Sequence, residues 1–300
     1  MSHKITIQPD NISFELRPSQ TILEGAISEG INIPYGCRNG SCGSCKAKIL
    51  SGKVICEDFQ ESAMTEQEKN DGWTLCCQAY VTEDVSIETR ISQIDSDIPQ
   101  PKITPVRVES LEKLNHDVMR MLLKLPGDEK LDFIAGQYIE FIMSDGSRRA
   151  FSIASPPHEP LIELHLRLIE GGKFTHFVFE EMKEKSIHRI EGPIGQFFLR
   201  HSEKPIIFVS GGTGFAPIKS VIEDMFKKGN KRTVYLYQGV RTLEDPYMDD
   251  LCRDWEKSYD NFKYIPVFSE LKNTKNNLRT GLVHKAVIDD FNQLDPYQVY

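Results

Sequence analysis

Tyr35-Gly36-Cys37-Arg38-Asn39-Gly40-Ser41-Cys42-Gly43-Ser44-Cys45 sets three thiols at Cys-x4-Cys-x2-Cys in a glycine-rich loop, and further along Leu75-Cys76-Cys77-Gln78-Ala79 brings two more. Thiolates bind ferric iron, and glycines let a loop wrap closely and aim backbone N–H groups at sulfur. That spacing with one distant fourth thiolate is the pattern of a 2Fe-2S cluster. Zinc is the rival reading, but a structural zinc site pairs one Cys-x2-Cys with a second or with two histidines, and neither occurs. Either Cys76 or Cys77 could supply the fourth thiolate. Cys56 and Cys252 lie in no motif and read as small buried hydrophobes. His116, His158, His176 and His201 are scattered without ligand spacing and read as surface or packing residues.

Upstream of the loop, Lys4–Ile7 and Ile12–Leu16 alternate about Pro9-Asp10-Asn11, which predicts a β-hairpin. Ser19 or Thr21 can cap a helix over Ile22–Ile27, with Gly30 placed to end it. Downstream, residues 93–101 are polar, hold two prolines and show no periodicity, so a linker is expected there after a first domain at 1–92. From 102 to 200 the runs Pro105–Glu109, Met119–Leu125, Gln137–Ile142 and Ile162–Leu168 predict a small antiparallel barrel. From 201 to 300 the pattern changes to a buried strand, Ile206–Val209, then glycines, an amphipathic helix from Ala216 to about Lys227, and a strand at Val234–Tyr237. That order is a βαβ unit of a parallel sheet.

With 300 residues, 39% of them hydrophobic, the chain has material for two or three globular domains. No run of about 18 apolar residues and no cleavable leader is legible, so no membrane or export is expected and the location read is cytoplasmic. A net charge of −8 without a Lys/Arg cluster argues against nucleic acid. Residues 1–92 carry 8 basic and 13 acidic side chains, a surface on which a partner's basic patch could dock.

Ser210-Gly211-Gly212-Thr213-Gly214-Phe215-Ala216-Pro217 follows a buried strand and opens a helix. In that context glycines admit a pyrophosphate to the backbone, and Pro217 suits the first helical turn. Arg148-Arg149-Ala150-Phe151-Ser152-Ile153 is read as a segment between two barrel strands, followed by Gly171-Gly172-Lys173-Phe174-Thr175. Taken alone, the arginine pair reads as a solvated face and Gly-Gly as a hairpin turn.

With these residues together, the chain resembles, end to end, reductases that join a plant-type ferredoxin domain to a ferredoxin-NADP reductase-like module. The resemblance implies an α+β multidomain fold: a β-grasp 2Fe-2S domain, an antiparallel β-barrel for FAD and an α/β parallel-sheet domain for NAD(P)H. The Leu-x-Cys-Gln-Ala context makes Cys77 the fourth ligand beside Cys37, Cys42 and Cys45, leaving Cys76 as a packing thiol. The family's Arg-x-Tyr-Ser flavin stretch maps to Arg149, Phe151 and Ser152, with the Ser152 hydroxyl near flavin N5; Phe for Tyr keeps the stacking face and loses a hydroxyl. The family's pyrophosphate turn maps to Gly172, Phe174 and Thr175, and its nucleotide loop to Gly211, Gly212, Thr213, Gly214 and Pro217. Ala135–Tyr138, Glu191–Gly195 and Gly281–His284 resemble the CDP-6-deoxy-glucoseen reductase group, and oxygenase reductases share the layout. The family continues past Gln298-Val299-Tyr300 into a Cys-Gly motif and a last helix, so the resemblance implies a nucleotide domain short of its C-terminal end.

The implied activity is reduction of FAD by NADH, with electrons passed through the 2Fe-2S cluster to a dehydratase or oxygenase component. A non-enzymatic carrier is the other class. NADH is expected over NADPH, since Glu244 and Asp245 would repel a 2′-phosphate, although Arg241 could accept one.

Overall fold

The computed structural model describes residues 2–91, 98–271 and 278–300; the expected linker falls largely outside them. Two compact units are present, one of residues up to Gln100 with Gly195–Phe197, the other of Pro101–Ile194 with Phe198–Tyr300.

The first unit opens with the hairpin of β1 (His3–Gln8) and β2 (Ile12–Leu16), then α1 (Ile22–Ser28). Thr21 caps α1 through a reciprocal box with Glu24, satisfying two otherwise orphaned donors. β3 (Lys46–Ser51), β4 (Val54–Ile55), α2 (Glu66–Asn70), β5 (Trp73–Leu75), β6 (Tyr80–Val81) and β7 (Val85–Glu88) complete it. The main sheet runs β2-β1-β7-β3-β5, with β4 and β6 as a separate pair. Alternate residues Ile5, Ile7, Ala47, Val85 and Ile87 point inward and pack with Ile22, Leu23 and Ala26 of α1. The cysteine loop closes against this core.

In the second unit, β8 (Lys102–Lys113), β9 (Val118–Lys124), β10 (Tyr138–Ile142), β11 (Arg148–Ser152), β12 (Ile162–Arg167), α3 (Lys173–Glu180) and β13 (Ile187–Ile194) form the expected barrel. Its antiparallel order is β11-β10-β13-β8-β9-β12. Arg148–Ser152 is therefore itself a strand at the sheet edge, not a link between strands; its first three residues are all exposed, which erased the alternation a strand normally shows. Met121, Leu123, Ile139, Phe141, Leu164 and Ile190 fill the interior. The α/β layer follows: β14 (Ile206–Gly211), α4 (Phe215–Lys227), β15 (Val234–Val240), α5 (Asp249–Ser258), β16 (Phe262–Phe268), β17 (Arg279–Thr280), α6 (Val283–Asp290) and β18 (Gln298–Val299). Every pairing in its sheet, β17-β16-β15-β14-β18, is parallel. Val118 and Ala135 of the barrel share a core with Phe208, Phe215 and Trp255, so the two layers fold as one body.

Candidate functional site

The cysteine loop is shaped by residues that cannot carry a side chain. Gly40 has φ +76°, and a Cβ there would stand 2.5 Å from the Asp58 carbonyl oxygen and 3.1 Å from Phe59 Cα. The loop thus lies directly on the 58–60 segment, where Gln60 N–H donates to the Gly40 carbonyl (3.0 Å). Backbone donors turn inward: Ser41 N–H to Cys37 Sγ (3.3 Å) and Cys37 N–H to Cys42 Sγ (3.4 Å).

The four expected thiols come as two pairs. Cys37 contacts Cys42, and Cys45 contacts Cys77. Burial pushes the Cys37 thiol up, but bonds from Ser41, Asn39 and Cys42 outweigh it and leave it below its ordinary value. The Cys45 contact, with the Gly40 and Gln78 donors, holds Cys77 at about 7, while Cys45 is raised by the same contact and by burial. Cys76 lies fully in the core beside Cys56, and burial pushes it up to about 12. Among the described residues no cluster of three or more Cys, His, Asp or Glu suits a single ion. Two thiol pairs amid inward-pointing amides instead suit two irons held two thiolates apiece, so the residues fit a 2Fe-2S group.

In the second unit, β11 carries Arg149 and Phe151 on one face. The Arg148 guanidinium is taken up by Glu140 (3.2 Å) and Glu191, whereas Arg149 bonds back to the Arg148 carbonyl (2.7 Å) and stays exposed. The half-buried Phe151 ring leans on Phe174 at 5.4 Å. Phe174 itself is buried in the barrel core, so it supports Phe151 and offers a ligand no face of its own. Gly171-Gly172 does not turn a hairpin: Gly172 is the N-cap of α3 and makes no side-chain cap bond. Thr175 Oγ1 is spent on Ile169 N–H (3.2 Å) and the Gly172 carbonyl (3.0 Å), so this turn presents backbone amides. An exposed guanidinium, a half-buried ring, the Ser152 hydroxyl and a helix N-terminus make a donor set that fits a flavin with an anionic pyrophosphate.

Gly211 ends β14, and Gly212–Gly214 form one 3-10 turn leading into α4, with Pro217 in its first turn. Gly211, Gly212 and Arg241 line a cavity of about 220 Å³ at the carboxyl ends of the parallel strands, with Gln238, Tyr247, Ser269 and Gly281. That is where open α/β sheets bind nucleotides. Arg167, at the end of β12, was not singled out from the sequence. It lines this cavity, is held by Asp117 (Nε–Oδ2 2.6 Å), and its Nη1 lies 2.5 Å from where a Gly212 Cβ would stand. The barrel thus supplies a cation to the glycine loop, a contact between distant strands that leaves no local pattern. Asp245 lines the same cavity, and its carboxylate also accepts from Arg241 N–H (3.0 Å) and Thr242 N–H (2.7 Å). It thus closes the turn that carries Arg241, beside exposed Glu244 and Glu270, whose N–H donates to the Arg241 carbonyl (2.9 Å).

Glu163 and His165 were also missed, because β12 alternates them with Ile162, Leu164 and Leu166 as if they faced water, yet both faces are buried. His165 bonds Glu163 (2.8 Å) and the Tyr247 hydroxyl (3.1 Å). Burial pushes the Glu163 carboxyl up, but the His165 bond and the Lys219 charge outweigh it and hold it at about 2. His165 is pushed down by burial.

A cysteine-loop unit in one chain with a flavin-type barrel and a parallel nucleotide sheet defines a class: iron-sulfur flavoprotein reductases. Residues 5–82 match the 2Fe-2S iron-sulfur cluster binding domain, 105–199 the oxidoreductase FAD-binding domain and 208–300 the oxidoreductase NAD-binding domain. The CDP-6-deoxy-L-threo-D-glycero-4-hexulose-3-dehydrase reductase of Yersinia pestis is 36% identical, over 100% of this chain and 90% of its own length. Reductase component 1 of the terephthalate 1,2-dioxygenase of Comamonas sp is 33% identical, over 100% and 89%. The crystal structure of the Amycolatopsis cytochrome P450 reductase GcoB is similar with a TM-score of 0.82 at 27% identity, over 99% of this chain and 89% of that one. The chain belongs to this family of ferredoxin-reductase-like oxidoreductases. It is an NAD(P)H-dependent reductase with 2Fe-2S, FAD and nicotinamide nucleotide as cofactors, and it serves an electron-accepting partner. Among the described residues no helix is long and apolar enough to cross a membrane.

Proposed function

We propose that Cys37, Cys42, Cys45 and Cys77 hold the cluster, that Arg149, Phe151, Ser152 and the Gly172–Thr175 turn hold FAD, and that Gly211–Gly214, Pro217, Arg167 and Arg241 receive NADH. When bound, these groups supply hydride acceptance at the flavin and one-electron relay at the cluster. The chain's own residues do the rest. Cys37 and Cys77, both held below the ordinary thiol range, give each pair one readily ionised sulfur. Arg149 and the α3 amides neutralise a pyrophosphate, Phe151 provides a flat apolar seat, and the Ser152 hydroxyl can hold a proton beside a reacting ring nitrogen. Arg167 and the glycine loop would hold the phosphates of the second dinucleotide.

NADH is preferred over NADPH because Asp245 lines the cavity with Arg241, and exposed Glu244 and Glu270 adjoin the same turn, where a 2′-phosphate would need charge of the other sign. The partner is a dehydratase component acting on a nucleotide-linked deoxysugar, in the cytoplasm. This rests on the 36% identity to the hexulose-dehydrase reductase. The 33% identity to the terephthalate dioxygenase component supports an oxygenase partner as the second reading. The observation that carries the activity is the pairing of Cys45 with Cys77 in one chain with the glycine-loop cavity.

Anaerobic titration of the reconstituted protein with NADH, and in parallel NADPH, tests this. Flavin bleaching followed by the reduced-cluster EPR signal is expected with NADH at lower concentration. A cluster reducible by dithionite and untouched by NADH would refute the reading and leave a carrier.

A further inference from the structure

The helix that opens at the nucleotide loop carries a largely buried lysine. Lys219 sits on α4 with its side chain 6% exposed, and its Nζ reaches Glu223 (2.9 Å), the Ala154 carbonyl (3.3 Å) and Glu163 (3.4 Å). Its neighbour Ser220, fully buried, donates from Oγ to the Ser155 carbonyl (2.7 Å). Ala154 and Ser155 are the second and third residues after Ser152, and Ala154 N–H in turn donates to the Glu163 carbonyl (2.7 Å). The same network extends through His165, stacked on Phe215 at the start of α4, to Tyr247 in the cavity wall.

Burying an ammonium between two carboxylates is costly unless every partner is held in place, and hydrophobic packing would join two layers without it. What the polar network adds is direction: it fixes where one element lies along another. Ser152 to Ala154 spans roughly 7 Å of extended chain, and Gly214 to Lys219 roughly 7.5 Å of helix. The contact therefore ties the two cradles together close to where their ligands would meet. We propose that Lys219 and Ser220 form a buried latch that sets the distance between the nucleotide loop and the strand bearing Ser152, making Lys219 a positioning residue for transfer from nicotinamide to flavin. This rests on the reading of Ser152 and the Gly211–Gly214 loop given above.

The test uses the holoprotein and three variants: Ser220→Ala, Lys219→Arg, and the double change Glu163→Gln with Lys219→Met, which removes two of the three charges and leaves only Glu223, whose side chain is 23% exposed and can turn to water. In anaerobic stopped flow at saturating NADH, the double variant is expected to bleach flavin about 10- to 100-fold more slowly, the scale of a misplacement near 1 Å. Its half-saturating NADH concentration should move less than about 3-fold, its isotope effect with 4-deuterated NADH should rise, and Lys219→Arg should recover most of the rate. Independently of turnover, amide exchange at residues 211–216 should accelerate in Ser220→Ala while the barrel strands stay protected. Unchanged bleaching and isotope effect in the double variant, or exchange that accelerates uniformly across the unit, would overturn the latch. A wild-type protein that NADH does not bleach would instead refute the proposed function, and the exchange result alone would then decide the latch.

Discussion

Replacing Gly40 by alanine tests whether the cysteine loop is held by backbone contact. The residue has φ +76°, which costs an L-side chain about 1–2 kcal/mol. The new methyl would stand 2.5 Å from the Asp58 carbonyl and 3.1 Å from Phe59 Cα, both backbone atoms that cannot swing aside. Forcing them apart adds about 1–3 kcal/mol, the usual range for overpacking. Together these imply a fall in melting temperature of roughly 10 to 30 °C for a unit of this size. Gly30 is the control: its φ is +72°, but nothing lies within 4 Å of its missing Cβ, so Gly30→Ala pays the backbone cost alone. Cluster content by visible absorbance and EPR, with thermal melts followed at the cluster bands, gives the comparison. If Gly40→Ala melts no lower than Gly30→Ala and keeps its full cluster, the loop is not held as described.

Serine at Cys37, Cys42, Cys45 or Cys77 should abolish the reduced-cluster EPR signal, whereas serine at Cys56, Cys76 or Cys252 should leave it intact; the Cys76 and Cys77 variants, measured side by side, decide between the neighbours. Arg167→Ala removes a charge-assisted contact worth about 1.5–3 kcal/mol and should raise the half-saturating NADH concentration roughly 10- to 100-fold without lowering flavin content. Glu163 gives a pH dependence. Its folded carboxyl is held at about 2 against an ordinary 4.5, so its stabilisation is complete above about pH 4.5 and is lost as pH falls from there through 2. Urea melts monitored at Trp255 in a Trp73→Phe background should show that acid-side decline, and Glu163→Gln should flatten it.

The sequence disclosed whatever is encoded by neighbours. The Cys-x4-Cys-x2-Cys loop, the Thr21 cap and the strand-glycine-helix run at Ile206–Lys227 all stand where local chemistry puts them. Choosing Cys77 over Cys76 needed a family likeness, since adjacent residues differ only in which way each side chain points; the structure turns Cys77 to Cys45 and Cys76 to the core. Arg148–Ser152 was misplaced because an edge strand exposes residues on both faces. Asp245 was legible as an acid near the nucleotide, but not as the residue that also satisfies two amides of its own turn. Arg167, Glu163 and Lys219 act through partners far away in sequence, and no window along the chain contains those pairs.

The open margin of the barrel sheet bears on how the chain behaves before it is loaded. β11 pairs along one side with β10, and the only bridge recorded toward β12 among the described residues is Ile153–Leu164. A strand left half-paired is a template onto which another chain can add itself. The exposed charge of Arg149 discourages such growth, because two copies meeting there would oppose like charges. A flavin lying along β11, as proposed, would cover the margin outright, so withholding flavin is expected to raise self-association of newly made chains.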